Sequence, residues 1–574
     1  MKKSLSSILL LLIVMSVGVN AQPPQIAVNQ VGYYPNAPKQ AIVANMPTAT
    51  QFSIVSQTGE TVFTGQLGAV RQSNNSSIQT RVADFSDFTQ TGRFKIVSGG
   101  LQSHVFTISE NIHYDVSRAT LKGFYYQRVS MPLEERFAGR WARPAGHPDT
   151  RVLVHPSAAS PQRPAGTVIS SPGGWYDAGD YNKYIVNCGI SMGTLFSAYE
   201  DFPEYFRNVY VNIPESGNGA PDILNESLYN LRWMFTMQDP HDGGVYNKLT
   251  NVRFDGIVMP GVTRWERYVV QKGTAATLDF AANMAQAARI YSKYSNVYPG
   301  LADSCLNAAK RAWAWALQHP DMAYNQNEMN QQFEPQIITG AYGDRLGFSD
   351  EWFWAAVEMY ATTNDNQYVE MIRRNFPDQY SIPSWNNLYM LGVYTLLRTG
   401  YDNLMPANAK NRFLEMADAF VNSINNNAFH VVMGFTPRDF VWGSSSQAAN
   451  QGILLIYAYK MTQDPKYLHA ALSNVNYLLG QNATGYCFVT NFGTKRVMHP
   501  HHRPSEADDI TDPIPGLVAG GPNPGRQDGC DYEFTEPETA FVDHWCSYAS
   551  NEITINWNAP AVYLFNAVEV LIGK

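Results

Sequence analysis

Three acids stand out by their neighbours. Asp177 and Asp180 lie three residues apart in Gly-Gly-Trp-Tyr-Asp-Ala-Gly-Asp-Tyr-Asn-Lys-Tyr, residues 173–184. Glu552 lies far downstream, in a run over 541–559 that also holds Asp543, Tyr548, Trp557 and the carboxamides Asn551, Asn556 and Asn558. A carboxyl among aromatic rings is kept protonated by burial, whereas two carboxylates one turn apart can hold a water and take its proton. One protonated acid and one ionised base is the apparatus for hydrolysing a glycosidic bond with inversion. The plainer alternatives are a helix cap with a surface acid for the Asp pair, and a cap of the helix over 559–572 for Glu552. The glycines and aromatics before Asp177 favour chemistry. If the glycine turn enters a helix over 181–192, both Asp side chains sit at its N-terminus, where the dipole favours ionisation. Asp543 is the negative neighbour expected to raise Glu552.

Residues 489–503 end in His501-His502-Arg503 after Pro500. These donors suit sugar hydroxyls, or a metal if other ligands converge; a plain strand and loop is the alternative reading. Aromatic residues make up 13% of the chain, enough to line a sugar cleft after most are spent on the core. The net charge of -8 comes without a basic stripe, which argues against nucleic acid as a partner.

Other elements must position these groups. Residues 1–21 read as a signal peptide: Lys2-Lys3, an apolar run over 8–17, then Val19-Asn20-Ala21. The run is short for a membrane span, so the mature chain is expected to be exported, as a secreted or periplasmic protein. Residues 22–110 carry short alternating or β-branched runs at 26–28, 41–43, 52–55, 93–97 and 104–108, separated by turn clusters. That pattern predicts an immunoglobulin-like β-sandwich. Residues 111–574 change to helical periodicity, with stripes over 221–238 and 464–479 and an alanine-rich stretch over 273–291. Long loops and no strand alternation indicate a large all-α domain, for which a closed ring of helix pairs is one arrangement. Five cysteines make no disulfide framework; Cys530 and Cys546 are a candidate pair, with buried free thiols the alternative.

Together these segments resemble glycoside hydrolase family 9, the inverting endoglucanases, in its subgroup with an N-terminal immunoglobulin-like domain. The likeness covers nearly all of the mature chain. Residues 29–33 (NQVGY), 213–224, 242–246 (DGGVY), 274–281, 339–344, 350–356 and 440–444 (FVWGS) are similar to family segments. One signature is met by Phe541, Asp543, Tyr548, Glu552, Thr554, Asn558 and Ala559. The other is met by Val489, Thr490, Gly493, Lys495, Pro500, His501 and Arg503, and departs at Cys487.

The resemblance implies an (α/α)6 barrel after the sandwich, with Asp180 as general base, Asp177 holding the water and Glu552 as general acid. It implies that His501 and Arg503 bind sugar and that Asp543 and Tyr548 line the same site. It implies an endo-β-1,4-glucanase acting on cellulose-like, mixed-linkage or xyloglucan chains. An exo-acting cellodextrinase or glucosaminidase, or a carbohydrate-binding scaffold, are the other readings. No cofactor is required. A structural calcium at Asp350 and Glu351 is expected, since both are hard oxygen ligands, although Trp385-Asn386-Asn387 lacks the family's later acid. Zinc is not expected: His147 and His155 remain, but Ala138 and Gly146 stand in the cysteine places. The partners implied are a β-glucan and no other chain, so a monomer. The sandwich, lacking an exposed aromatic row, is expected to support the barrel.

Overall fold

The structure, a computed structural model, describes residues 22–344 and 347–573; the expected signal segment lies outside the described residues. The N-terminal unit is a two-sheet sandwich. One sheet runs Gln25–Ala27, Gln40–Ala44, Gln79–Asp84, Arg71–Gln72 in spatial order. The other runs Gly32–Tyr33, Phe106–Ile108, Gly92–Ser98, Gln51–Ser56, Thr61–Gln66, with Leu101–Gln102 paired to Gly92–Ser98.

The strand Gln40–Ala44 shows how the sandwich meets the rest of the chain. Side chains alternate across a strand, so Ala41 and Val43 join the sandwich core with Phe52, Ile54, Phe94 and Ile96. Ile42 and Ala44 point the other way and belong to the core of the helical domain. A strand buried on both faces reads as an unbroken apolar run, as Ala-Ile-Val-Ala does. The sandwich therefore packs on the barrel by a sheet face.

Twelve helices form six pairs. The inner members are Ile185–Asp201, Thr274–Tyr291, Ser349–Thr363, Tyr389–Thr399, Ser444–Thr462 and Ile555–Ile572. The outer members are Tyr114–Tyr126, Asp222–Met237, Leu301–Gln318, Val369–Arg374, Ala409–Ser423 and Pro465–Leu478. Inner helices are buried nearly all round; Ile555–Ile572 is buried from Ile555 to Glu569. Outer helices bury one stripe, as Ala409–Ser423 does with Ala409, Phe413, Ala417 and Phe420. The last inner helix packs back on the first, Ile185–Asp201, and Tyr394 stacks on Tyr457 at 4.2 Å to join the fourth and fifth. Ring closure is a long-range property that periodicity does not carry. Because inner and outer helices alternate in direction, all six inner N-termini open at one end. The loops before them, including 173–184, 440–443 and 520–554, gather there.

The helical domain also contains a five-stranded sheet, against the expectation of no strands. Its order is Val168–Ile169, Val152–Val154, Arg267–Val269, Lys248–Thr250, Lys183–Tyr184. Each strand has two or three residues, too few to register an alternation. Its last strand, Lys183–Tyr184, begins three residues after Asp180.

Candidate active site

The turn carrying Asp177 and Asp180 is fixed before any chemistry is considered. Gly174 adopts φ +80°, and a Cβ there would sit 2.8 Å from Trp233, so a larger residue is excluded twice over. Trp175 is fully buried and its indole N–H donates to Glu226, which also pairs with the buried Arg128. Tyr176 OH bonds His147 Nδ1 at 2.7 Å. The amide of Asp177 donates to the Asn182 carbonyl, closing the turn. A Cβ on Gly179 would lie 2.0 Å from the His501 carbonyl, so the glycine lets the two loops touch.

The helix after this turn begins at Ile185, later than the expected 181, and a short strand intervenes. The Asp pair is thus set back from the helix N-terminus, and burial dominates. Both carboxyls are pushed up. Asp177, which is 1% exposed, is raised well above the usual range by burial and then by the charge of Asp180, against hydrogen bonds from Asn187 and Tyr342. Those bonds are 2.6 Å from Asn187 Nδ2 and 2.8 Å from Tyr342 OH. Asp180 is raised by burial and held back by Asn182, by the positive charge of Arg503, by Tyr184 and by Arg267. Tyr184 OH donates to Asp180 Oδ2 at 3.0 Å. Two guanidinium groups favour ionisation of Asp180, whereas the nearest charge on Asp177 is negative. Of this coupled pair, Asp180 ionises first.

Glu552 comes to the turn from the other side. Its backbone is clamped between Gly520 N, which donates to its carbonyl at 2.9 Å, and the parallel bridge with His501. The helix that follows begins at Ile555 behind Thr554, four residues before the 559 start of the alternative reading in which Glu552 caps it, and the amide of Ile555 donates to the Asp177 carbonyl at 2.9 Å. The Glu552 carboxyl is raised well above 4.5 by burial and then by Asp180, opposed by Arg503; Asp177 raises it further, and the Gly179 amide lowers it. The charge that raises it comes from across the cleft. Asp543, expected in that role, is occupied: its oxygens accept from the amides of Met498 and His499 at 2.8 and 2.9 Å and from Asn551 at 3.1 Å. It holds the 498–501 loop.

His501 is half-buried. Its Nδ1 lies 2.7 Å from the Trp545 carbonyl, which can only accept, so Nδ1 carries the proton and Nε2 is an acceptor. Burial pushes its pKa down to about 4, keeping the ring neutral. Its ring stacks on Trp545 at 4.3 Å and lies 5.8 Å from Tyr548. Tyr548 in turn lies 5.5 Å from Trp442, which is 43% exposed. These rings form one aromatic wall. Tyr548 OH donates to the Gln527 carbonyl at 2.8 Å, so its ring is the part left free. Arg503 donates from NH1 to the Gly179 carbonyl at 2.7 Å and from Nε to the Asp255 carbonyl at 2.9 Å; it ties the acid turn to the 251–258 loop as well as charging the site. His502, read alongside it as a donor, is buried and bonded to Ser505 and Gln127. It faces away from the cleft.

Sequence reading missed Tyr342, Tyr184, Asn182, Asn187, Trp545 and Trp442 as parts of the site. Asn182 and Tyr184 lie within the motif itself, so their proximity was available. Tyr342 is 165 residues from Asp177; it lies in the family-like segment 339–344, but nothing local in that segment ties it to the acid turn.

Cys530 and Cys546 form a disulfide, while Cys188, Cys305 and Cys487 are buried and free. Among the described residues, no group of three or more His, Cys, Asp or Glu side chains is placed to hold a metal. His147 bonds Tyr176, and His155 bonds Ser157 and the Pro335 carbonyl. Asp350 accepts from the Leu388 amide at 2.8 Å. Glu351 is raised well above 4.5 by burial and then by Asp350, and its Oε2 is buried without a partner. Asn386 accepts from Ser384 at 2.6 Å.

A ring of helix pairs with buried, unequal carboxyls at its open end, beside an aromatic wall, is the form of an inverting glycoside hydrolase. Comparison with known proteins agrees. Residues 114–565 match Glycosyl hydrolase family 9, and residues 21–103 match the Cellulase N-terminal ig-like domain. The chain belongs to glycosyl hydrolase family 9 and is an endo-β-1,4-glucanase of that inverting family. It is 47% identical over 552 residues to the xyloglucan-specific endo-β-1,4-glucanase of Bacteroides ovatus, covering 95% of this chain and 94% of that one. It is 32% identical to endoglucanase D of Acetivibrio thermocellus, covering 94% and 82%. A solved Bacteroides ovatus family 9 structure superposes with a TM-score of 0.91 at 46% identity, covering 95% of this chain and 99% of that one.

Proposed function

We propose that Asp180 is the general base, that Asp177 helps to orient the attacking water, and that Glu552 is the general acid. Asp180 takes a proton from the water, whose oxygen attacks the anomeric carbon from the face opposite the leaving group. Glu552 gives its proton to the departing glycosidic oxygen as that bond breaks. The turnover leaves Asp180 protonated and Glu552 ionised, and exchange with solvent resets both. The observation that carries this reading is the imbalance of charge: Asp180 faces Arg503 and Arg267, while Glu552 is half-buried beside two other acids. His501, Arg503 and the aromatic wall hold the sugars on either side of the scissile bond, and Asp543 keeps the His501 loop in place.

Xyloglucan is the preferred substrate in this reading, supported by full-length likeness to a relative named for that activity. The test is product analysis on xyloglucan, barley β-glucan and carboxymethyl-cellulose, following viscosity against new reducing ends. A fast viscosity drop with few ends, greatest on xyloglucan, is expected. Steady release of small sugars with slow viscosity loss would contradict the endo reading.

The chain is exported under this proposal, on the strength of residues 1–21. A calcium ion held by Asp350 and Glu351 fits the orphaned, buried Glu351 oxygen. Two carboxylates fall short of the six to eight oxygens calcium takes, so backbone carbonyls and waters would complete the shell. When bound, it would supply charge that offsets the buried Glu351 and the half-buried Asp350 beside it. Chelation is then expected to lower Tm, with recovery on added Ca2+ and no such response in Glu351→Gln; a Tm indifferent to chelator would remove the site.

A further inference from the structure

The seam between sandwich and barrel contains a cleft of about 320 Å3, a size that suits a small ligand. Asn74 lines it from the sandwich; Asn422, Ser423, Asn426, Asn427 and Phe435 line it from the barrel. The backbones around it are pinned from below. Ser73 donates to Glu538 at 2.6 Å, Asn75 Nδ2 to the Gly434 carbonyl at 3.0 Å, and Thr80 to the Ala428 carbonyl at 2.6 Å. Asn427 spends its carboxamide internally, on the Met433 carbonyl and the Phe429 amide. Asn74, Asn422 and Asn426 are exposed, and no protein group among the described residues bonds their carboxamides. Beside Asn74, the Oδ1 of Asn75 is buried without a partner. Phe435 rests edge-on against Phe420 at 5.5 Å yet stays 45% exposed.

The chemistry of this lining selects its ligand. No lining side chain is charged, and the neighbouring Arg71 guanidinium is engaged by the Asn427 carbonyl and His430, so the lining itself offers neutral polar groups. Carboxamides both donate and accept, as sugar hydroxyls do. A held, half-exposed aromatic ring offers a face for the C–H side of a pyranose. The cleft also relates to the catalytic wall: Phe435 and Trp442 lie on one segment, 434–443, that enters the inner helix Ser444–Thr462.

We propose that this seam is a second, non-catalytic binding site for a neutral β-glucan chain, built jointly by the two domains. This rests on the glucan reading above. It gives the sandwich a share in substrate holding that its own surface, without an aromatic row, does not suggest.

The test uses the full chain. Retardation in gels containing xyloglucan and kcat/KM on xyloglucan polymer and on short xyloglucan oligosaccharides are compared for wild type, Phe435→Ala and Asn422→Arg. The exposed Asn422→Arg fills the cleft without removing a core contact, so it serves if Phe435→Ala folds poorly. Each variant is expected to weaken retention about three- to tenfold, the scale of one aromatic contact. Polymer kcat/KM should fall in step, with short oligosaccharides unchanged. Wild-type retention in both variants would overturn the site, as would equal losses on polymer and short substrates. If the wild type neither binds nor cleaves xyloglucan, that strikes the substrate reading, and the same comparison on barley β-glucan then decides the seam.

Discussion

The two sides of the catalytic cleft treat their acids differently. On the turn side, the Asp177 and Asp180 carboxylates receive donors from Asn187, Tyr342, Asn182 and Tyr184, and Asp180 also faces guanidinium charge. On the opposite side, Glu552 meets the Gly179 amide and the opposing pull of Arg503, against burial and two negative neighbours. Burial raises all three. What sets Asp180 apart is positive charge from Arg503 and Arg267 added to its donors, which favours its ionised form, whereas Asp177 and Glu552 are both raised well above the usual range by burial and by the charge of Asp180. A raised carboxyl alone does not mark an active site. Asp279 is also raised well above its usual range by burial, then by Asp350 and Asp344, but it lies within the inner helix Thr274–Tyr291, buried against Gly189.

The division breaks most severely if either principal acid is neutralised. Glu552→Gln and Asp180→Asn should each cost about 10²–10⁴-fold in kcat on glucan, with oligosaccharide binding retained; normal turnover in either would remove its role. Asp177→Asn keeps the side chain's shape and the bond from Asn187, reverses the one with Tyr342, and removes the carboxyl that Asp180 raises. It should cost less than Asp180→Asn, and an equal loss would mean the pair shares the proton.

The pH profile sharpens the comparison further. As the proposed base, Asp180 must lose its proton, so kcat/KM is expected to rise with pH through a pKa above the ordinary 3.9. As the proposed acid, Glu552 must keep its proton, so the rate is expected to fall as pH climbs through a pKa well above 4.5. Both limbs therefore lie to the alkaline side of an ordinary carboxyl pair; an alkaline limb at the usual carboxylate pKa would contradict the burial argument. The smallest effect belongs to Asp543→Asn, which weakens two amide contacts on the His501 loop. It should raise KM more than it lowers kcat, by about tenfold, in keeping with bonds to a charged acceptor. A kcat loss matching that of Glu552→Gln would mean Asp543 acts on the chemistry itself.

Much of this was legible in the chain. Gly173–Asp180 and the run around Glu552 announced themselves because glycine, tryptophan and acid sit together locally. Helices such as Asp222–Met237 and Pro465–Leu478 followed from their stripes, and Asp464 accepts from the Lys466 amide as an N-cap should. Three things were not legible. The short strands beside Asp180 are below the length at which a period registers. The donor Tyr342, 165 residues from Asp177, reaches the site by tertiary contact, and the stacking of Trp545 on His501, with its carbonyl accepting from that ring, is not given by spacing although Trp545 lies in the run around Glu552. The raised state of Asp180 depends on burial, which outweighed the helix dipole that local sequence suggested.

The most direct test of the acid and base assignment compares substrates with good and poor leaving groups. An aryl cello-oligosaccharide whose phenol departs without protonation needs no general acid, but still needs an activated water. Glu552→Gln is predicted to recover most of its lost rate on that substrate while remaining poor on glucan, and Asp180→Asn to stay poor on both. Equal defects of Glu552→Gln on both substrates, or recovery by Asp180→Asn instead, would contradict the account.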